Sequence, residues 1–214
     1  TLLVLLSLQI SYGTVYTVNN QEDPNEQQNL YTTLQNAHDN AKSGDTIYVE
    51  GSPNNYGKLE ISKKLTIIGP GFFLAENQNT QVVKSAAVSS TISFFEGSQY
   101  SKIIGISVAS LSPRINIYVN NIEIIKCYIV GSVLISGNGL EDIIITQNYF
   151  SSVNGGTAFL WSGNKGPAKN LFIKNNIINR RLSLQDGVSG KIINNVIKGS
   201  IFKVGVNSTL EIKN

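Results

Sequence analysis

The stretch FIKNNIIN occupies residues 172–179, and KIINNVIKG occupies residues 191–199. Both contain two asparagines between apolar residues, and the second asparagines, Asn176 and Asn195, are nineteen positions apart (195 − 176 = 19). A motif that returns after about twenty residues is typical of solenoid proteins, in which each repeat forms one turn of a continuous coil. The paired asparagines therefore predict a repeated structural unit.

Two earlier segments align with this pair when the second asparagine is taken as the mark of each repeat. The mark is occupied by Cys127, Asn148, Asn176 and Asn195. The third residue before it is Ile124, Ile145, Ile173 or Ile192, and the second residue after it is Ile129, Phe150, Ile178 or Ile197. The sixth residue before it is small and polar, namely Asn121, Asp142, Asn170 or Ser189. The segment SKIIGISV at 101–108 fits more loosely, with Ile106 at the mark.

Asparagine at the mark has a physical reason if successive coils are stacked. The alternating apolar residues before the mark lie on one face of a short strand, and neighbouring parallel strands are about 4.8 Å apart. The marked asparagines then lie above one another, so that each amide donates to one neighbouring coil and accepts from the other. We therefore predict an asparagine ladder of Asn148, Asn176 and Asn195, with Cys127 at its edge as a buried structural thiol.

Further strands are predicted within the same coils. Their segments are INIYV from residue 115, SVLIS from 132, TAFLW from 157, RLSLQ from 181 and IFKVG from 201. Two or three short strands in a repeat of about twenty residues describe a parallel β-solenoid. An immunoglobulin-like sandwich also contains many short strands, but it does not repeat its columns in this way. The sequence thus predicts an all-β fold.

The region before the coils has a helical pattern. In NLYTTLQNAHDNAKSGD at 29–45, one helical face carries Leu30, Leu34, Ala37 and Ala41. The pattern ends at Gly44, a common helix terminator. A helix here would cover the open strand edge and the end of the apolar core of the first coil. The single histidine, His38, lies on this helix, where we expect a surface or helix–coil contact rather than catalysis.

The chain begins with TLLVLLSLQISYG, an uncharged stretch that is apolar through Leu8 and ends in small and polar residues. It is too short for a membrane span and has the order of a secretory signal peptide; a buried first strand is the alternative. We interpret residues 1–13 as a signal peptide whose start is missing, cleaved around Tyr12 to Thr14. Residues 14–75 form the cap and first strands, and residues 76–214 form coils that continue beyond the C-terminus.

The amino-acid composition argues against some classes of binding partner. Charged residues make up 14% of the chain, and the formal net charge is +3 without a basic run, which gives no support to nucleic-acid binding. The chain has one cysteine, so an internal disulfide is excluded. No membrane span is predicted beyond the leader. The oligomeric state stays open.

Residues 31–74 resemble the N-terminal capping region of secreted bacterial right-handed parallel β-helix proteins. The matching pieces are the helix, SGDTIYV at 43–49 and KLTIIGPG at 64–71. The later coils look like the repeats of that group, so the resemblance covers nearly everything after the leader. It implies a right-handed parallel β-helix with an N-terminal capping α-helix, the architecture of pectate lyases. Such motifs are specific for fold and weak for function.

Catalytic signatures of that architecture are missing from this sequence. A lyase commonly needs Ca²⁺ held by clustered acids, and a glycoside hydrolase needs two cooperating carboxylates. No column stacks two acids on adjacent coils, and the paired Asp, His-Gly and Arg-x-Lys signatures of polygalacturonases are not found. The acids of the coil region are Glu96, Glu123, Glu141, Asp142, Asp186 and Glu211. We predict no catalytic residue, no metal site and no cofactor in these residues.

One irregularity of the repeat marks a candidate binding site. The marks at 148 and 176 are 28 residues apart (176 − 148 = 28), which indicates a loop of about eight extra residues within 151–170. Loops inserted between the regular coils of a solenoid often contain functional residues. Aromatic rings beside amide and ammonium donors can hold sugars; alternatively, the tryptophan covers the coil and the tyrosines only pack together. The candidate ligand-binding residues are Tyr128, Tyr149, Trp161, Asn164 and Lys165.

Two classes of function follow. The first is a secreted or cell-surface β-helix scaffold without catalysis, which binds a polysaccharide or surface glycan or mediates adhesion. The second is a polysaccharide lyase or glycoside hydrolase whose active site lies mainly in coils beyond Asn214. The absence of paired acids favours the scaffold.

Overall fold

The computed structural model of the 214-residue chain describes residues 13–76, 82, 84–109, 114–137, 139–151, 157–159, 166–179, 181–184, 186–198, 201–203 and 207–213. The predicted signal peptide thus lies almost wholly outside the described residues. One α-helix, α1 (Leu34–Asn40), and two short 3-10 helices, Glu26–Gln28 and Leu74–Glu76, accompany the strands of this part of the chain.

The strands are short and follow one another along the whole described chain. The first eight are β1 (Val15–Val18), β2 (Leu30–Tyr31), β3 (Thr46–Val49), β4 (Leu59–Ile61), β5 (Thr66–Ile68), β6 (Ala87–Val88), β7 (Ile92–Phe94) and β8 (Lys102–Ile104). The next eight are β9 (Ser107–Val108), β10 (Arg114–Ile117), β11 (Ile122–Ile125), β12 (Tyr128–Ile129), β13 (Ser132–Ile135), β14 (Ile143–Thr146), β15 (Tyr149–Phe150) and β16 (Thr157–Phe159). The last seven are β17 (Leu171–Lys174), β18 (Ile177–Ile178), β19 (Arg181–Leu184), β20 (Ser189–Ile193), β21 (Val196–Ile197), β22 (Ile201–Lys203) and β23 (Thr209–Lys213).

Three sheets run the length of the molecule. Sheet 1 has the order β2-β1-β3-β5-β8-β11-β14-β17-β20-β23, sheet 2 the order β6-β9-β12-β15-β18-β21, and sheet 3 the order β4-β7-β10-β13-β16-β19-β22. The paired strands of these sheets are parallel. From β5 to β22 the chain visits sheets 1, 2 and 3 in turn, which makes six complete coils in the described part. The predicted all-β parallel β-helix is confirmed; its right-handed sense stays a prediction.

Each sheet directs alternate residues inward, and equivalent residues of successive coils stack. The central inward column of sheet 1 consists of Ile47, Ile67, Ile103, Ile124, Ile145, Ile173 and Ile192. All are at most 1% exposed. Burying one isoleucine side chain contributes about 2 kcal/mol to folding before opposing entropy is counted. This column holds the coils in register, because a slip of one residue would turn it to solvent.

The turns explain why the asparagines come in pairs. The residue just before the mark has a left-handed backbone in four coils, with φ of 51° at Lys126, 59° at Gln147, 57° at Asn175 and 54° at Asn194. Asparagine tolerates this region better than most residues do. The first asparagine of each pair therefore makes the bend between sheets 1 and 2, and the second occupies the mark.

The N-terminal helix is shorter than the sequence pattern predicts. It begins at Leu34, because the Thr33 side chain accepts a hydrogen bond from the Asn36 N–H at 3.2 Å and Thr33 itself is extended. Leu30 was expected on the helix, and this expectation is wrong. It lies in β2, where it is paired with Thr17 of β1, so sheet 1 gains a strand in place of the first helical turn.

Helix α1 covers the exposed edge of β4, as predicted. The Glu60 N–H donates to Gln35 Oε1 at 2.9 Å, and the Ser62 N–H donates to His38 Nε2 at 3.1 Å. Lys63 Nζ donates to three carbonyl oxygens at the end of the helix, at 2.8 to 2.9 Å. His38 is 3% exposed, so the helix–coil contact predicted for it is present and the surface alternative is wrong.

Candidate functional site

The bend between sheets 1 and 2 carries a ladder of side-chain amides on its inner side. Asn148 Nδ2 donates to Asn176 Oδ1, and Asn176 Nδ2 donates to Asn195 Oδ1, both at 3.0 Å. The same two oxygens accept the backbone N–H of Asn148 and of Asn176, both at 2.9 Å. The three side chains are 1 to 4% exposed. The amides are thus satisfied by one another and by backbone carbonyls of neighbouring coils, which buries polar groups without the usual cost.

Cys127 closes the N-terminal side of this ladder. Its N–H donates to Asn148 Oδ1 at 2.8 Å, and its Sγ lies 3.3 Å from the Ile125 carbonyl and 3.9 Å from the Ile103 carbonyl. The thiol is completely buried, and burial raises the pKa of Cys127 to about 12. A thiol that stays protonated under ordinary conditions is a poor nucleophile, so its place is structural.

On the outer side of the same bend, Tyr128 and Tyr149 face each other across neighbouring coils. They are paired between β12 and β15, and their rings are stacked with centroids 5.5 Å apart and planes 5° apart. The column continues with Ile177 and Val196 of β18 and β21, which are 43% and 56% exposed. We call Tyr128, Tyr149, Ile177 and Val196 the outer column of sheet 2.

Two phenylalanines from a distant turn join the tyrosines. The Phe73 ring lies 5.0 Å from Tyr149 and 5.8 Å from Tyr128, in edge contacts. The Phe72 ring lies 6.3 Å from each tyrosine. Neither phenylalanine is among the site residues predicted from the sequence. The available signal was GPGFFL at 69–74, where two consecutive aromatic rings follow a turn and cannot both face the core.

Three of these four rings, Phe72, Phe73 and Tyr128, border a shallow groove. It has a volume of about 170 Å³ and is lined by Phe72, Phe73, Ser85, Ser107 and Tyr128. The tyrosines cover one face of each other, so a ligand would meet ring edges, phenol groups and the exposed Phe73 ring. Such a surface offers apolar contact together with hydroxyl donors and acceptors.

The remaining candidates from the sequence are Trp161, Asn164 and Lys165, and all three lie outside the described residues. The structure does place β16 (Thr157–Phe159) in the segment that contains the extra residues. This strand belongs to sheet 3, between β13 and β19. The predicted joint site of the tyrosines and the tryptophan stays a prediction.

Three acids of the described coils, Glu123, Glu141 and Glu211, are paired with lysines. Glu123 lies 2.8 Å from Lys102 Nζ, and Glu141 lies 3.2 Å from Lys169 Nζ. Glu211 contacts the ammonium groups of Lys213 and Lys191, and these hydrogen bonds lower the pKa of its carboxyl. Within the described ranges, no group of three or more histidine, cysteine or acidic side chains could hold a metal ion.

None of the helices in the described part of the chain has the length and apolar character needed to cross a bilayer. No family model, no curated protein and no solved structure matches this chain.

Proposed function

We propose that the chain is a secreted or cell-surface β-helix scaffold that binds a glycan along the outer column of sheet 2. The observation that carries this proposal is the cluster of Phe72, Phe73, Tyr128 and Tyr149 on an outer sheet face. Phe73 is 45% exposed. Single exposed apolar residues need no explanation, but clustered aromatic rings beside a groove commonly form a binding surface.

The chemistry of the groove favours a sugar over a wholly apolar ligand. A sugar presents apolar C–H groups on one side and hydroxyls around its rim. The exposed Phe73 ring can cover the first, and the hydroxyls of Tyr128, Ser85 and Ser107 around the groove can bond the second. Equivalent positions in successive coils are about 4.8 Å apart, roughly the length of one sugar unit, so a linear chain of sugars suits a column that repeats along the axis.

The enzyme alternative gains no support from Glu123, Glu141 and Glu211, because their ion pairs with lysines account for them without catalysis. Lys102 and Glu123 belong to adjacent coils of sheet 1 and form an ion pair on its outer side. His38 holds the N-terminal helix against the turn after β4. We therefore propose binding as the activity of this part of the chain, with secretion and glycan as the proposed location and partner.

The test is a glycan array followed by calorimetry on the full chain. Tyr149→Ala and Phe73→Ala should each weaken binding of the best glycan about tenfold, as expected for the loss of one aromatic contact. The matched control is Phe95→Ala. Phe95 stacks on Tyr118 at 5.3 Å and 11°, and it is 41% exposed, but it follows β7 of sheet 3.

The Phe95→Ala variant should bind as the unchanged protein does. Equal losses in the Tyr149 and Phe95 variants would show that ring removal acts through general destabilisation, and absence of binding to every glycan would refute the proposal. A Trp161→Ala variant tests the sequence-based prediction separately. Its affinity should also fall if the loop of residues 151–170 reaches the tyrosines.

A further inference from the structure

A second, larger cleft lies on the outer side of sheet 1, where the chain enters β8 and β11. It has a volume of about 290 Å³. Its walls include Lys64, Tyr100, Lys102, Asn121, Glu123 and Asp142. None of these residues belongs to the outer column of sheet 2, and none is among the binding residues predicted from the sequence. Four successive coils contribute to the cleft, so stacking brings together residues that are far apart in sequence.

The charges of the cleft are balanced. Lys102 Nζ lies 2.8 Å from Glu123 Oε1, and Lys64 Nζ lies 5.9 Å from the centroid of the Tyr100 ring. The two lysines and two acids have a formal sum of zero. With no net charge, the cleft has no net Coulomb preference for an anionic or a cationic ligand. A neutral ligand with many hydroxyls would find donors in the lysines and Asn121 and acceptors in the carboxylates.

Tyr100 has an unfavourable backbone for its side chain. Its φ is 66°, in the left-handed region, where a bulky residue is uncommon and costs more than asparagine does. The equivalent turn of the following coils carries Asn121, Asp142 and Asn170, with φ of 59°, 58° and 51°. The Tyr100 side chain is also largely exposed, with 61% of the residue accessible. Neither turn geometry nor core packing therefore accounts for a tyrosine at this position.

We propose that this cleft binds a neutral hexose unit, with the sugar ring against Tyr100. Hydroxyl groups of the sugar are held by Asp142 and Glu123 as acceptors and by Lys64 and Asn121 as donors. Backbone strain of this kind is often retained where the side chain serves a ligand. The site is independent of the aromatic surface of sheet 2, and Tyr149→Ala leaves it intact, so failure of one proposal is distinguishable from failure of the other.

The probes are methyl glucoside, methyl galactoside and methyl mannoside, added to the full chain and followed by ligand-observed NMR and calorimetry. At least one should bind with a dissociation constant in the millimolar range, as expected for a single small ligand. Glucuronic acid and glucosamine serve as charged comparators. Neither should bind more than about fivefold more tightly than the neutral glycosides, because the four charges of the cleft sum to zero.

Two variants separate binding from structure. Tyr100→Asn should weaken hexoside binding about tenfold, while raising Tm by about 2 °C because the turn is relieved of strain. Asp142→Asn keeps the residue type of the same turn in two other coils, so Tm should stay unchanged while hexoside binding weakens about fivefold. Unchanged affinity in the Tyr100→Asn variant, or no binding of any neutral glycoside to the full chain, would overturn the inference.

Discussion

Two columns of side chains lie one residue apart at the bend between sheets 1 and 2, and they differ in burial and in side-chain chemistry. The inner column consists of Cys127, Asn148, Asn176 and Asn195, which are 0 to 4% exposed and joined to one another. The outer column of sheet 2 begins one residue later and changes from tyrosine to isoleucine to valine along the axis. A residue of the inner column must form hydrogen bonds with its neighbours in the column. A residue of the outer column has no such requirement and can contact a ligand.

The reason for this difference is hydrogen-bond satisfaction. A buried amide without partners costs about 1–3 kcal/mol, and at the mark the partners are supplied by the copies above and below. The polar side-chain groups of an exposed outer residue can form hydrogen bonds with water instead. The comparison therefore predicts that substitutions in the inner column have large effects on stability or reactivity, whereas those in the outer column have small effects on stability and larger ones on binding.

The largest contrast should appear in the chemistry of Cys127. Burial raises its pKa from 9.0 to about 12, which lowers the thiolate fraction at pH 8 about 1000-fold relative to the unfolded chain. Because the thiolate is the reactive form, labelling with an aromatic disulfide reagent should be undetectable over minutes in the native protein and complete in 8 M urea (about the highest practical concentration). Rapid labelling of the native protein at pH 8 would contradict the burial of the inner column.

Removing the central amide of the ladder should have the next largest effect. In Asn176→Ala, the Asn148 N–H and Nδ2 lose their shared acceptor, and the Ile145 carbonyl loses a donor that now lies 2.9 Å away. The free energy of unfolding should fall by about 3 kcal/mol, since several buried groups lose partners at once. Urea unfolding followed by circular dichroism measures it.

The control for that experiment is Asn175→Ala, one residue earlier. Asn175 is exposed and has φ of 57°, so its loss affects only the turn. The free energy of unfolding should fall by about 1 kcal/mol in this variant. If both variants lost the same stability, the ladder amides would contribute no more than the bend itself.

A smaller effect of opposite sign is expected where the ladder stops. Cys127 Sγ points at the Ile103 carbonyl from 3.9 Å, in the slot where Asn148 Nδ2 reaches the Ile124 carbonyl at 2.9 Å. Cys127→Asn should therefore add one amide to the ladder and raise the free energy of unfolding by about 1 kcal/mol. Cys127→Ala provides the control and should lower it. A loss of stability in the asparagine variant would show that this coil cannot accommodate another amide.

The smallest effect belongs to the outer column. Val196 is 56% exposed, and Val196→Lys should change the free energy of unfolding by less than about 0.5 kcal/mol. The measurement is the same urea titration. A change as large as that of Asn176→Ala would end the distinction between the two columns.

The repeating part of the molecule was predictable because each column is read from residues that recur at similar spacing. The recurrence of Ile124, Ile145 and Ile173 predicts that they stack, whatever course the chain takes between them. The non-repeating contacts were not predictable in this way. Leu30 joins a strand because β1 offers it a partner, and Phe73 meets Tyr149 because a turn folds over sheet 2. Both depend on the tertiary course of unique segments.

The candidate sites show the same division. Tyr128 and Tyr149 can be placed side by side from the sequence alone, since each directly follows the mark of its repeat. The cleft around Tyr100 was not predictable, because it combines two columns, the turn residues Tyr100, Asn121 and Asp142 and the strand residues Lys102 and Glu123. Only the three-dimensional turn brings them to one cavity. A pattern search within single columns cannot detect a site whose residues come from different columns.

The hydrogen bonds between equivalent asparagines of successive coils have an evolutionary consequence. Asn176 binds Asn195 just as Asn148 binds Asn176, although 28 residues separate one pair and 19 the other. The junction between two such turns is therefore the same whichever turns are joined. Tandem duplication or loss of one whole turn in the gene would leave the amide contacts of the ladder chemically unchanged, so the number of turns can change without loss of hydrogen bonds at this bend.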